Sequence, residues 1–165
     1  MVDATKNPKH KLLIELLYSS GLRVGEAVKI RTEDIIPEQK IAIIRQGKWA
    51  KDRIVILSER FINDFKQCLQ SRKDQSPCLF PSASGNPHIS TRTAQKIIKN
   101  SAKKAGIKGV YCHALRASFA THLFDRGTDI HHIQKMMGHN NISTTQGYIR
   151  LSTKSLKGIK SPMDE

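Results

Sequence analysis

Long apolar runs are missing from this chain. No stretch approaches the ~20 apolar residues needed to cross a bilayer, and residues 1–7 hold nothing like the apolar segment of a signal peptide. A cytoplasmic protein with no membrane partner is the expectation. Cysteine is scarce as well. The three thiols, Cys68, Cys78 and Cys112, are odd in number and scattered, which fits reduced, mostly buried side chains rather than a disulfide framework. No Cys-x-x-Cys pair occurs, so the commonest route to a structural zinc is closed. His131 and His132 are adjacent and cannot share a helical face, so they do not read as metal ligands. Neither a metal nor a cofactor is expected. Internal repeats and low-complexity segments are also lacking.

Acidic residues are few relative to basic ones. The chain has 28 Lys and Arg against 14 Asp and Glu, a net charge of +14, and a pI near 10.0. Such an excess points to a polyanionic partner, and nucleic acid is the usual one. At 165 residues and 38% hydrophobic content, the chain has enough material for one folded domain with a real core, and too little for two.

Helix signals dominate. Asn7 and Pro8 suit a helix start, Leu12, Leu13, Leu16 and Leu17 repeat at helical spacing, and Gly21 is placed to stop the helix. A short helix is expected over residues 24–31, which puts Arg23 in a tight junction between two helices. Residues 40–45 and 53–57 are rich in Ile and Val and read as two strands of a hairpin, joined by the basic loop 46–52. Ser58 caps a helix bearing Phe61, Phe65, Cys68 and Leu69. Pro77 follows its end, residues 78–80 suggest a short strand, and 81–87 form a turn-rich loop. Ser90 caps a helix with Ala94, Ile97, Ile98, Ala102 and Ala105 as its apolar stripe, stopped by Gly106. Residues 113–125 form another, with Leu115, Phe119 and Leu123 inward and Gly127 as its stop. Asp129 caps a helix closed by Gly138, and Ser143 caps a last short one carrying Tyr148. The expected fold class is mainly α with one small antiparallel β-sheet.

An ordered series of polar residues could carry chemistry: Arg23, Lys48, His113, Arg116, His139 and Tyr148. Together they make a cationic site with a hydroxyl nucleophile and no carboxylate, suited to holding a phosphodiester and attacking it without a metal. His113 and Arg116 lie three apart, so on a helix they share a face. A guanidinium presents a fixed fork of donors to two phosphate oxygens and stays charged at any working pH. Tyr148 lies in a polar setting, and a phenol with an ordinary pKa near 10 needs cations or a base nearby to attack at neutral pH. Lys48, on a hairpin tip, is suited to passing a proton to a leaving oxygen. Taken one at a time, each has a plainer reading: a solvated helix face, a surface histidine, a solubilising lysine, a surface tyrosine. The order and spacing of the set carry the argument.

That order is recognisable. Tyr18-Ser-Ser-Gly-Leu-Arg23-Val-Gly-Glu26 comes first. Gly47-Lys48 follows, with Lys51 and Arg53 leading into a strand. Then come His113-Ala-Leu-Arg116 with Ser118-Phe119-Ala120-Thr121-His122-Leu123, Met137-Gly138-His139, and Thr144-Thr145-Gln146-Gly147-Tyr148. The chain resembles the catalytic domain of tyrosine recombinases, the phage-integrase family, and within it the Xer-type site-specific recombinases, archaeal ones included. The resemblance runs from about residue 8 to residue 150. Ala117 stands where the family often has a second histidine, and Gly25 where a serine is common. Neither is among the family's core catalytic groups.

The resemblance implies the tyrosine recombinase catalytic-domain fold and a site-specific DNA recombinase or integrase. Tyr148 attacks the scissile phosphate and forms a 3′-phosphotyrosyl link. Arg23 and Arg116 hold the non-bridging oxygens, Lys48 protonates the leaving 5′ oxygen, His113 helps accept the tyrosine proton, and His139 hydrogen-bonds the phosphate. Lys51, Arg53 and Arg92 are read as further DNA contacts. The implied partners are double-stranded DNA and further copies of the chain, as a tetramer on two duplexes, with the isolated chain a monomer or dimer. The implied location is the nucleoid. Family members usually carry an N-terminal helical domain that closes over the other face of the DNA, so residues 1–165 read as the catalytic half. Residues 1–7 read as a remnant of the linker to such a domain, and 151–165 as a tail exchanged between protomers. The rival readings are type IB topoisomerase-like relaxation, a DNA-binding module without catalysis, and a metal-dependent nuclease.

Overall fold

The computed structural model describes residues 1–45, 52–138 and 145–146. Lys48, Lys51, His139, Ser143 and Tyr148 lie outside the described residues. The first helix, α1 (Pro8–Ser20), is the hub of the fold. The Asn7 side chain accepts from the His10 amide at 3.1 Å, and Gly21, at φ +62, ends the helix in the left-handed region that an L side chain adopts only at a cost. Leu12, Leu13, Ile14, Leu16 and Leu17 are all buried, because α1 has neighbours on several sides: α3 (Glu59–Gln70), α4 (Thr91–Lys104) and α5 (Cys112–Asp125) all pack on it. The serine caps form as expected, with Ser58 accepting from the Phe61 amide and Ser90 from the Thr93 amide. Asp129 caps α6 (Ile130–Met137) by accepting from the His131 amide. Cys68, Cys78 and Cys112 are buried free thiols. Among the described residues, no helix is long and apolar enough to cross a membrane.

The sheet has three antiparallel strands in the order β1 (Ile35–Ile36), β2 (Ile41–Ile44), β3 (Arg53–Ile56). The register pairs Ile41 with Ile56 and Ile44 with Arg53, which buries Ala42, Ile44 and Val55 and leaves Ile54 and Ile56 outward. Two expectations are corrected here. The helix expected over 24–31 stops early, as α2 (Val24–Ala27). The strand expected at 78–80 is reduced to a single bridge between Arg31 and Cys78. The Leu79 amide donates to the Ile30 carbonyl at 3.0 Å, and the Thr32 amide to the Pro77 carbonyl at 2.9 Å. Pairing with a segment some 45 residues away draws 30–32 out of helix, and the chain turns through Thr32–Asp34 into β1, a strand with no sequence signal of its own.

One buried carboxyl on α1 stands apart from the apolar core. Glu15 is 4% exposed. Its Oε1 accepts from Arg60 Nε at 3.0 Å, and the Asp64 carboxyl beside it is paired with Lys11 at 2.6 Å. Burial, reinforced by Asp64, pushes the Glu15 carboxyl up to about 7. Folded Glu15 therefore holds its proton more tightly than unfolded Glu15, whose ordinary value is 4.5. Across that window the folded state binds the extra proton, so this group's contribution to stability falls as pH rises from 4.5 to about 7. Glu15→Gln is expected to remove that slope and to be the more stable protein at pH 7. Urea melts of both proteins at pH 4.5, 5.5 and 7 check this.

Candidate nucleic-acid interface

The polar residues come together where α1, α5 and α6 meet. Gly21 ends α1, and two residues later Arg23 precedes the first turn of α2. A Cβ on Gly21 would lie 2.3 Å from Cδ1 of Phe119, so the missing side chain is what lets α5 close onto this turn. That approach puts the Arg116 guanidinium against the Gly21 carbonyl, to which Nη1 donates. Nη2 donates to the Met137 carbonyl at 2.7 Å. Arg116 is 2% exposed.

Arg23 reaches the same turn of α6. Its Nη2 donates to the Gly138 carbonyl at 3.1 Å, and its Nη1 approaches the Met137 carbonyl at 3.5 Å. Arg53, at the start of β3, donates from Nε to the Met136 carbonyl at 2.9 Å. Three guanidiniums thus converge on three successive carbonyls at the C-terminus of one helix, where carbonyls lack intrahelical partners and the helix dipole is negative.

A carboxylate sits inside this cluster, and the expectation of a site without one is corrected. Glu26 accepts from both terminal nitrogens of Arg53, at 2.9 and 2.7 Å, from Arg23 Nη1 at 3.2 Å and from the Arg23 amide at 2.8 Å. Burial pushes its pKa up, but the hydrogen bonds and charge of Arg53, with Arg23 behind them, outweigh that and hold it below the ordinary 4.5. The sequence signal was available: Glu26 lies three residues after Arg23 at a helix start, the position from which a side chain reaches back to the preceding backbone amide.

Arg23, His113 and Arg116 line one cavity of about 1010 Å³, together with Lys99, Lys103 and Lys108. No acidic side chain lines it among the described residues. His113 is exposed at its rim, one turn of α5 from the buried Arg116. The basic surface continues along α4, where Lys103 and Asn100 are shared with a second groove that also holds Lys6, His10, Lys96 and Lys104. Arg92 is exposed in the first turn of α4. At helical spacing Arg92, Gln95, Lys99 and Lys103 form one face, a stripe that composition announced only as net charge. The site residues that can be placed therefore divide: Arg23, His113 and Arg116 share the basin, Arg92 lies along its approach, and Arg53 turns inward beneath it.

The phage integrase family model matches residues 1–155. This chain belongs to the phage integrase family. The chain is 40% identical over 159 residues to a tyrosine recombinase XerA of Pyrococcus horikoshii, covering 95% of this chain and 55% of that protein. It is 37% identical to a tyrosine recombinase XerD of Rhizobium meliloti, over 89% of this chain and 49% of that one. It spans about half the length of the curated relatives it matches. The crystal structure of a XerA recombinase superposes with a TM-score of 0.85 at 32% identity, covering 94% of this chain and 58% of the other. A XerH site-specific recombinase bound to a palindromic difH substrate shares the fold, with a TM-score of 0.82 at 24% identity over 99% of this chain and 49% of that one. The expected mainly helical fold with its small antiparallel sheet is that of these neighbours.

Gly21 joins core to site, so Gly21→Ala is expected to destabilise the protein by about 2–4 kcal/mol, from overpacking against Phe119 and a strained φ. Chemical denaturation measures this.

Proposed function

We propose that this chain is the catalytic domain of a site-specific DNA recombinase that cuts and rejoins DNA through a 3′-phosphotyrosyl intermediate. The observation that carries the reading is the convergence of Arg23 and Arg116, 93 residues apart in sequence, with His113 on one cationic basin in a member of this family. Fixed guanidiniums beside a phosphodiester stabilise the charge that develops on its non-bridging oxygens, and being already oriented they need no reorganisation at the moment of reaction. A two-metal mechanism requires clustered carboxylates, and among the described residues the basin's lining is cationic or neutral.

In this reading Tyr148 Oη attacks the scissile phosphorus and forms the P–O bond of the adduct. The P–O5′ bond breaks, and Lys48 supplies the proton to the leaving 5′ oxygen. His113 takes up the tyrosine proton, and His139 hydrogen-bonds the phosphate. Attack by the same 5′-hydroxyl, or by one from a partner duplex, reverses the step and conserves the bond energy. The stripe of Arg92, Gln95, Lys99 and Lys103 on α4 carries the flanking DNA, with Lys51 as a further contact. Recombination acts on two duplexes through a tetramer, with residues 151–165 exchanged between protomers.

A nicked suicide DNA substrate in EDTA tests the chemistry. The wild-type chain is expected to form a covalent adduct and Tyr148→Phe none. Arg23→Ala should slow adduct formation by about 10²–10³-fold, the usual loss of about 2.7–4 kcal/mol for one oriented donor. An adduct with Tyr148→Phe, or activity only with added metal, sinks the nucleophile assignment. Supercoil relaxation without strand exchange would favour a topoisomerase. DNA affinity provides a separate check. Replacing Lys99 and Lys103 together by alanine should lower the slope of log affinity against log salt by about 0.9 for each phosphate no longer neutralised, with little change in stability.

A further inference from the structure

Arg53 reads from the sequence as a DNA contact, yet its side chain is only 11% exposed. The strand register explains the direction. Arg53 lies on the same side of β3 as the buried Val55, while Ile54 between them is outward and 59% exposed. All three nitrogens of its guanidinium are engaged: Nε with the Met136 carbonyl, Nη1 and Nη2 with the two oxygens of Glu26. Gly138 completes the fit from the other side. A Cβ there would stand 3.1–3.2 Å from Nε, Cδ and Cζ of Arg53, at a φ of +63 that already disfavours a side chain. The backbone at Gly138 is shaped around this guanidinium.

We infer that Arg53 is a positioning residue of the strand-transfer site: it ties Glu26, and through Glu26 the catalytic Arg23, to the last turn of α6, from which the chain leaves toward His139. The inference rests on the recombinase reading for its catalytic consequence. Arg53 also begins β3, five residues after Lys48, so one side chain joins the bases of three segments that the proposed chemistry uses. Lysine cannot substitute for it. A lysine ammonium is a point donor, and the geometry asks for one donor toward a carbonyl and a parallel pair toward a carboxylate.

The test compares Arg53→Lys, Arg53→Gln and Gly138→Ala with the wild-type chain, each checked for a native circular dichroism spectrum and assayed well below its melting temperature. Adduct formation at saturating nicked DNA is expected to slow by about 10–100-fold in all three, as for other misplacements of about 1 Å in a reacting geometry. The salt slope of DNA binding should stay unchanged, since Arg53 neutralises no phosphate. The Glu26 carboxyl, followed by carbon-13 NMR, should titrate at higher pH in Arg53→Gln, and the Arg23 side-chain N–H signal should move. A merely structural role would lower the melting temperature without changing the adduct rate or the Arg23 signal, and that result overturns the inference. A slope reduced by about 0.9, with affinity and rate falling together, also overturns it and makes Arg53 a phosphate ligand. If wild type itself forms no adduct, the recombinase reading fails separately, and the NMR titration still decides whether Arg53 positions Arg23 through Glu26.

Discussion

The C-terminal carbonyls of α6 are the fixed point of the structure. Among the described residues, the oxygens of Met136, Met137 and Gly138 have no helical partners, and Arg53, Arg116 and Arg23 provide donors to them. Each arginine comes from a different element: the start of β3, the middle of α5 and the junction before α2. Guanidiniums this close repel one another, and dehydrating them is costly. The negative end of the helix dipole and the Glu26 carboxylate offset both terms. Assembling cations against repulsion is the costly step in building any phosphate site. Here folding itself completes that assembly of cations.

Such a cluster holds its geometry only if the helix carrying the acceptors is itself held. Phe119 and Ala120 of α5 and Ile133 and Met137 of α6 form a separate small core that fixes the two helices together. Met137 contributes its side chain to that core and its carbonyl to the arginines. Phe119 also lies over Gly21, whose carbonyl accepts from Arg116. Apolar packing and the polar site therefore share residues, and neither can shift without the other. In close-packed interiors a displacement of one helix is transmitted rather than absorbed, so the positions of the cations are as well defined as the core beneath them.

Much of this was legible along the chain because the deciding signals are local. Asn7, Ser58, Ser90 and Asp129 cap the helices they precede, and Gly21 and Gly138 stop the ones they follow. What escaped depends on pairing across long separations. The pairing of 30–32 with 77–79 shortens a helix and leads into β1, and neither segment announces the other. Glu26 was visible as a residue but not as the common partner of two arginines, since Arg53 lies 27 positions away. The direction of Arg53 was in principle readable, because strand alternation puts it on the side of Val55. Its charge suggested solvent, and the buried carboxylate that reverses that preference came from another element.

Burial separates the cations into two kinds with different physical duties. Arg116 is nearly inaccessible and the Arg23 guanidinium is held by Glu26, Met137 and Gly138, whereas Lys96, Lys99, Lys103 and Lys104 stand in water along α4. Mobile ions screen exposed charges within about 8–10 Å at physiological strength and buried ones far less. Lysines on the stripe can therefore attract a polyanion over a distance and release counterions as it docks, but they cannot define a bond angle, because each head group moves on a flexible stem. The arginines are the reverse: Arg116 is enclosed and Arg23 half-buried, and acceptors on several sides fix the direction of each guanidinium. A surface made only of the first kind would attract a polyanion without orienting it. The second kind takes its fixed orientation from the last turn of a single helix.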